Sequence, residues 1–218
     1  MSTTEAALEN LRIIRSLMEK AHIYRAVSAP AALTGGTLAL AASAWPVSHA
    51  LSNQAAPTMC DQCFLPTWLA ILGIATVLNV VLLAREAARR GQPFVSAGMR
   101  MALRAIAPSM LVGGFVGIGL IFFLHNLTLA ALIWVLCYGL ALLATTSFSP
   151  RSLVRLGWAF VCSGLLLFTA WALKRDVGLL SSDLAPASLV MGLTFGLLHV
   201  VYALSVFFSR KPVEVRPE

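Results

Sequence analysis

Charge along the chain is interrupted by long gaps. Asp, Glu, Lys and Arg are absent from residues 26–60, 62–84, 105–150, 156–173 and 184–209. A membrane-crossing helix needs roughly 20 consecutive apolar residues. The stretch 105–150 is long enough for two such helices, and its polar break at His125-Asn126 marks the turn between them. The pattern predicts six transmembrane helices, over about 29–50, 65–84, 102–124, 127–147, 152–173 and 186–208. Lipid offers the backbone no hydrogen-bond partner, so continuous apolar runs of this length fold as helices. The expected fold class is all-α, a polytopic membrane protein.

Before the first run, residues 5–26 carry Leu8, Leu11, Ile14, Met18, Ala21 and Tyr24 at three- and four-residue steps, with Arg12, Arg15, Glu19 and Lys20 between them. That spacing predicts an amphipathic helix on the membrane surface, its basic residues near anionic headgroups. The chain thus divides into a cytoplasmic amphipathic segment (1–28), a six-helix membrane domain (29–208) and a cytoplasmic tail (209–218). The REAARRGQP stretch from Arg85 reads as a helical extension of the second span, stopped by Gly91 and Pro93.

A phrase recurs within the apolar pattern. RAVSAPAALTGG at 25–36 and RAIAPSMLVGG at 104–114 share an arginine, an Ala-Pro pair, a leucine and a Gly-Gly doublet. The expected reading is a helix-starting cassette: arginine at the membrane edge, proline in the first turns where its missing N–H costs little, and glycines that receive a neighbouring helix. Gly35, Gly36, Gly113, Gly114 and Gly117, with a second GxxxG at Gly192 and Gly196, are the expected packing positions. The even-numbered spans share VLNVVLLA, VLCYGLAL and LLHVVYAL, which put Asn79, Cys137 and His199 in one slot. Three parallel helical hairpins, an internal repeat, are expected.

Composition agrees with this reading. At 59% hydrophobic and 11% charged, the chain has more apolar surface than a soluble domain of 218 residues can bury. Of its 16 Lys and Arg residues, all but Lys174 and Arg175 fall on the side of the N-terminus. The positive-inside rule then puts both termini in the cytoplasm. That orientation accounts for the net charge of +7, and no direct nucleic-acid partner is expected.

Candidate chemistry is sparse. MCDQCFLPTW places Cys60 and Cys63 outside, at the start of the second span, where a CxxC pair is either a structural disulfide or a redox pair activated by the helix N-terminus. The placement resembles the quinone-linked CxxC of bacterial membrane oxidoreductases that form disulfides. The resemblance covers these two cysteines, and the second outer pair of those enzymes is missing. His49 and His125 lie on the same side, but only the CxxC half has ligand spacing, so no metal and no cofactor are expected. His199 is the ionisable group well inside a span, and such residues are functional suspects. Asn79, Cys137, His199 and Tyr202 form the candidate intramembrane binding set, with a neutral His199 bonded to Asn79, Thr194 or Tyr202 as the structural alternative. No Asp or Glu falls within a predicted span to couple protons or sodium, and no nucleotide loop or HExxH is present.

The segments RSLMEKA, AREAARRGQPFVSAGMR, YGLALLATTSFSPRSLVRLGWAF and FGLLHVVYAL resemble an uncharacterised family of bacterial six-span inner-membrane proteins. The resemblance implies six helices in the bacterial inner membrane and carries no activity onto any residue. The functional expectation is a non-enzymatic accessory or sensory subunit acting with a cytoplasmic or membrane protein partner. The alternatives are a passive small-molecule carrier with its site between hairpins, and thiol-disulfide exchange through Cys60 and Cys63.

Overall fold

The computed structural model of the chain describes residues 27–51, 63–89, 91, 95, 97–173 and 184–209. The expected helix 5–26, Cys60, Lys174, Arg175 and the tail from Arg210 lie outside these residues. The described chain is all-helical. Its elements are α1 (Ala29–Leu51), α2 (Phe64–Arg89), α3 (Ala97–Leu124), α4 (Leu127–Leu143), α5 (Arg151–Ala172) and α6, which runs through Leu184–Met191, Gly192–Leu198 and His199–Phe208 without a break.

Four of these helices are long and apolar enough to cross a membrane: Phe64–Arg89, Met99–Leu124, Arg151–Ala172 and Pro186–Phe208. The six expected spans are present as six helices, of which four qualify as spans by length and composition. In α1, threonine, serine, glycine and Pro46 dilute the apolar residues. α4 has 17 residues because it stops short of its expected end at 147. There the Thr145 hydroxyl donates back to the Leu142 carbonyl at 2.7 Å, and Thr146 does the same to Leu143. Side-chain bonds of this kind compete with the helical ladder. Pro150 then opens α5 in extended backbone, as the N-cap.

The boundaries elsewhere follow local chemistry. α2 continues past the apolar run to Arg89, and Gly91 closes it at φ +63, the left-handed conformation that suits glycine after a helix. Its N–H donates to the Ala88 carbonyl at 3.1 Å. Between α3 and α4, His125 adopts φ 48 and Asn126 caps α4, its side chain accepting from the Leu129 N–H at 2.8 Å. The repeated phrase is used in two different ways. Its first copy does start a helix, with Pro30 the second residue of α1. The second does not, because α3 begins at Ala97 and Pro108 lies inside it, leaving the Arg104 carbonyl without its helical donor.

Helix directions alternate. α1 runs antiparallel to both α2 and α6: Ser28 meets Asn79, Val27 meets Tyr202, and Gly36 meets Gly196. α4 is antiparallel to α3 and to α5, through Gly113 against Cys137 and Gly164 against Val135 and Leu136. All six described arginines, Arg85, Arg89, Arg100, Arg104, Arg151 and Arg155, therefore collect at one end, at the close of α2 and the starts of α3 and α5. Glu86 is the only carboxylate among the described residues.

The packing does not distribute evenly over three hairpins. α6 packs along most of α1, and α5 packs closely on α4, whereas α5 and α6 meet more loosely. α2 packs chiefly on α1 and α3 on α4, with no substantial contact between α2 and α3. The core lies where α1, α4, α5 and α6 converge, with Phe160, Leu132, Leu153 and Val135 fully enclosed. Large apolar side chains on the outer faces of α2 and α3, such as Val77, Leu111, Phe115 and Phe123, are exposed.

Candidate functional site

α6 contains a π-helical segment, Gly192–Leu198, immediately before His199. Such segments often mark functional positions because they turn side chains out of helical register. Here the neighbouring helix reaches the backbone. A Cβ on Gly196 would lie 2.8 Å from Leu40, and one on Gly192 would collide with the Ser43 hydroxyl. Across the same seam, a Cβ on Gly36 would lie 2.9 Å from the Gly196 carbonyl oxygen. α1 and the π segment thus meet backbone to backbone, as small residues at this spacing allow.

The π segment delivers His199 into a ring cluster drawn from three helices. Tyr138 of α4, Phe160 of α5, and Phe195 and His199 of α6 all face one another. Tyr138 lies 4.8 Å from Phe160 and 5.5 Å from His199 between ring centroids, and Phe195 stacks on His199 at 6.1 Å. Offset and tilted arrangements of this kind add stabilisation beyond area burial. His199 is buried. Its Nδ1 donates to the Phe195 carbonyl at 2.9 Å, while its backbone N–H goes to the Gly196 carbonyl. A carbonyl only accepts, so the neutral ring carries its hydrogen on Nδ1, and Nε2 accepts from the Tyr138 hydroxyl at 2.9 Å.

The remaining candidates are committed to other helices. The Asn79 side-chain oxygen accepts from the Ser28 N–H at 2.9 Å, just ahead of α1. The Tyr202 hydroxyl donates to the Val27 carbonyl at 3.2 Å, so Asn79 and Tyr202 hold adjacent residues at the same helix start. Cys137, beside Tyr138 in sequence, turns the other way and packs on Gly113 of α3, where an added Cβ would lie 2.6 Å from its own Cβ. The shared slot is thus split three ways. Asn79 faces Ser28, Cys137 faces Gly113, and His199 faces Tyr138.

Of the candidate packing glycines, Gly35 faces Ala75 of α2 and Gly117 accepts the Trp134 indole of α4, whereas a Cβ on Gly114 would meet nothing within 4 Å. Sequence reasoning missed Tyr138 and Phe160, and it paired His199 with Asn79, Thr194 or Tyr202. The Thr194 hydroxyl instead donates to its own helix, to the Val190 carbonyl at 2.7 Å. A signal for Tyr138 was present: in VLCYGLAL it precedes Gly139, against which Phe160 and Val161 pack.

Cys63 is a free, exposed thiol, as is Cys162, and Cys137 is free within the bundle. No disulfide forms among the described residues, and Cys60 lies outside them. Among the described residues no three His, Cys, Asp or Glu side chains come together as a metal site would require. No protein-family model, curated protein or solved structure matches the chain.

Proposed function

We propose that this chain is an integral membrane protein with its arginine-rich end in the cytoplasm, acting as an accessory or sensory subunit with a protein partner and without chemistry of its own. All six helices cross the bilayer in this reading. α1 and α4, too polar or too short alone, are sheltered by α6 and α5. The setting implied by the sequence resemblance is the bacterial inner membrane.

The supporting observation is the state of His199. Its side chain is buried, and both its nitrogens are engaged within a ring cluster. A group held in this way fastens α4, α5 and α6 together and presents no free nitrogen to a substrate. A carrier would need a space shared by Asn79, Cys137 and His199, and their contacts face Ser28, Gly113 and Tyr138 instead. The collected arginines and the amphipathic pattern of residues 5–26 supply a cytoplasmic surface for the partner.

Purification of the full chain in mild detergent tests the proposal. A stoichiometric partner that is lost on deletion of residues 5–26 supports it. Recovery of the protein alone, together with a deletion strain indistinguishable from wild type, refutes it.

A further inference from the structure

A groove of about 330 Å³ lies between the start of α5 and the end of α6, at the arginine-rich end. Glycines set the two helices against different neighbours: Gly157 and Gly164 let α5 approach α4, and Gly192 and Gly196 let α6 approach α1. The groove spans Leu198 to Ser209 on α6, about 16 Å at the helical rise.

Its lining changes character along that length. Arg155, Ser152, Ser205 and Ser209 surround the outer part, and Ala159, Leu198 and Val201 line the inner part. Arg155 is its one charged group among the described residues, and the only described carboxylate, Glu86, belongs to α2, which has no substantial packing on α5. The Ser205 and Ser209 hydroxyls donate to the Tyr202 and Ser205 carbonyls, so outward they offer acceptor lone pairs. A cation beside hydroxyl acceptors, above an apolar floor open to the side, complements an amphiphile with an anionic phosphodiester, a hydroxylated headgroup and an acyl chain.

We infer that the α5–α6 groove binds an anionic phospholipid, with the phosphate on Arg155, headgroup hydroxyls on Ser205 and Ser209, and the first carbons of one acyl chain along Ala159, Val201 and Leu198. A zwitterionic choline lipid is disfavoured, since no carboxylate among the described residues lines the groove to receive its cation. The inference rests on membrane embedding, part of the reading above, and that part is tested in the same preparation by whether the chain leaves membranes only with detergent.

The experiment is native mass spectrometry of the full chain in detergent with equimolar dioleoylphosphatidylglycerol and dioleoylphosphatidylcholine. The expected result is a preference for the glycerol lipid that falls roughly five-fold in R155Q, the contribution of one basic residue near an anionic lipid surface, and is retained in R155K. Circular dichroism of R155Q and S205A checks that the fold is intact, and S205A, which removes the headgroup acceptor together with the bond to the Tyr202 carbonyl, is expected to weaken the preference with Arg155 in place. Equal binding of the two lipids, or a preference unchanged in R155Q, overturns the inference. So does loss of the preference to inorganic phosphate alone, which would make the ligand a free anion. A preference that rises several-fold when the chain is ended at Ser209 also overturns it, since the tail would then be the occupant.

Discussion

The second glycine of each doublet offers a matched pair of substitutions. Gly36 and Gly114 occupy the same place in the repeated phrase, and both lie within helices. In Gly36→Ala the new Cβ would stand 2.9 Å from the Gly196 carbonyl oxygen, 3.0 Å from Val200 Cγ2 and 3.1 Å from the Val200 nitrogen, where ordinary contact begins at 3.4 Å. Two of those three atoms are backbone, so no rotamer change relieves the clash. α1 would have to withdraw from α6 by about half an ångström, and α2 lies close on its other side, where a Cβ added at Gly35 would stand 3.1 Å from Ala75. Overpacking of this kind costs roughly 1–3 kcal/mol. Alanine returns up to about 1 kcal/mol over glycine within a helix. The net expectation is a destabilisation of about 1–2 kcal/mol.

In Gly114→Ala the Cβ meets nothing within 4 Å, and only the propensity gain remains. That variant should be more stable than the parent by roughly 0.5–1 kcal/mol. The two changes are chemically identical and opposite in sign. Reversible unfolding by SDS in mixed micelles, followed by far-UV circular dichroism, measures both. The reasoning fails if Gly36→Ala unfolds with the parent, or if both variants shift the same way.

Three further outcomes are expected. Tyr138→Phe removes the donor to a buried histidine nitrogen and should cost about 1 kcal/mol in the same assay, with helix content unchanged; a variant as stable as the parent would show that the bond contributes nothing. Ser28→Ala should be neutral or stabilising, because the Ser28 hydroxyl oxygen is buried without a partner among the described residues, while Asn79→Ala, which removes the acceptor for the Ser28 N–H, should destabilise by about 1 kcal/mol; the reverse order would contradict the assignment. In a Cys60→Ser background, a membrane-impermeant maleimide applied to the outer face should modify Cys63 in intact membranes but reach Cys162 only after detergent, although both are exposed; labelling of Cys162 in intact membranes would place α5 in water.

The helices were legible in the sequence because they rest on a coarse quantity, the run length of apolar residues between charges. The ranges 29–50, 152–173 and 186–208 agree with the structure to within two residues, α2 runs on to Arg89 as REAARRGQP leads one to expect, and α4 is shortened by the back-bonding of Thr145 and Thr146, which run length does not register. The phrase at 104–114 misled about where α3 begins, since proline is tolerated both at a helix start and, at a cost, within one. The shared slot of Asn79, Cys137 and His199 was read from depth along the helix. Direction around the helix decides contacts, and each residue turns its side chain through a further 100° or so. That is why Tyr138, one position beyond Cys137, meets His199. The π segment ahead of His199 shifts the register again, and no periodicity in FGLLHVVYAL discloses it.

The two helices with the least burial raise a further question of attachment. Within the membrane-length window of α2 only 6% of residues are buried, and of α3 11%, against 50% for α6. In water such faces would drive association. In lipid they cost nothing, and a helix stays in place only through close packing and polar contacts. α2 is held at two places. Near its arginines, Asn79 holds the Ser28 N–H and Ala75 fits Gly35. At the opposite end, Phe64 stacks on Trp134 of α4 with centroids 6.1 Å apart and planes 11° from parallel. The Trp134 indole also fills the space over Gly117 of α3. One side chain of α4 therefore ties together two helices that make no substantial contact with each other, and the opening between α2 and α3 is bridged at Trp134, at the end away from the arginines. α2 and α3 are thus fastened by a few directional contacts to the apolar core that joins α1, α4, α5 and α6, which is the form expected when the surroundings are as apolar as the interior.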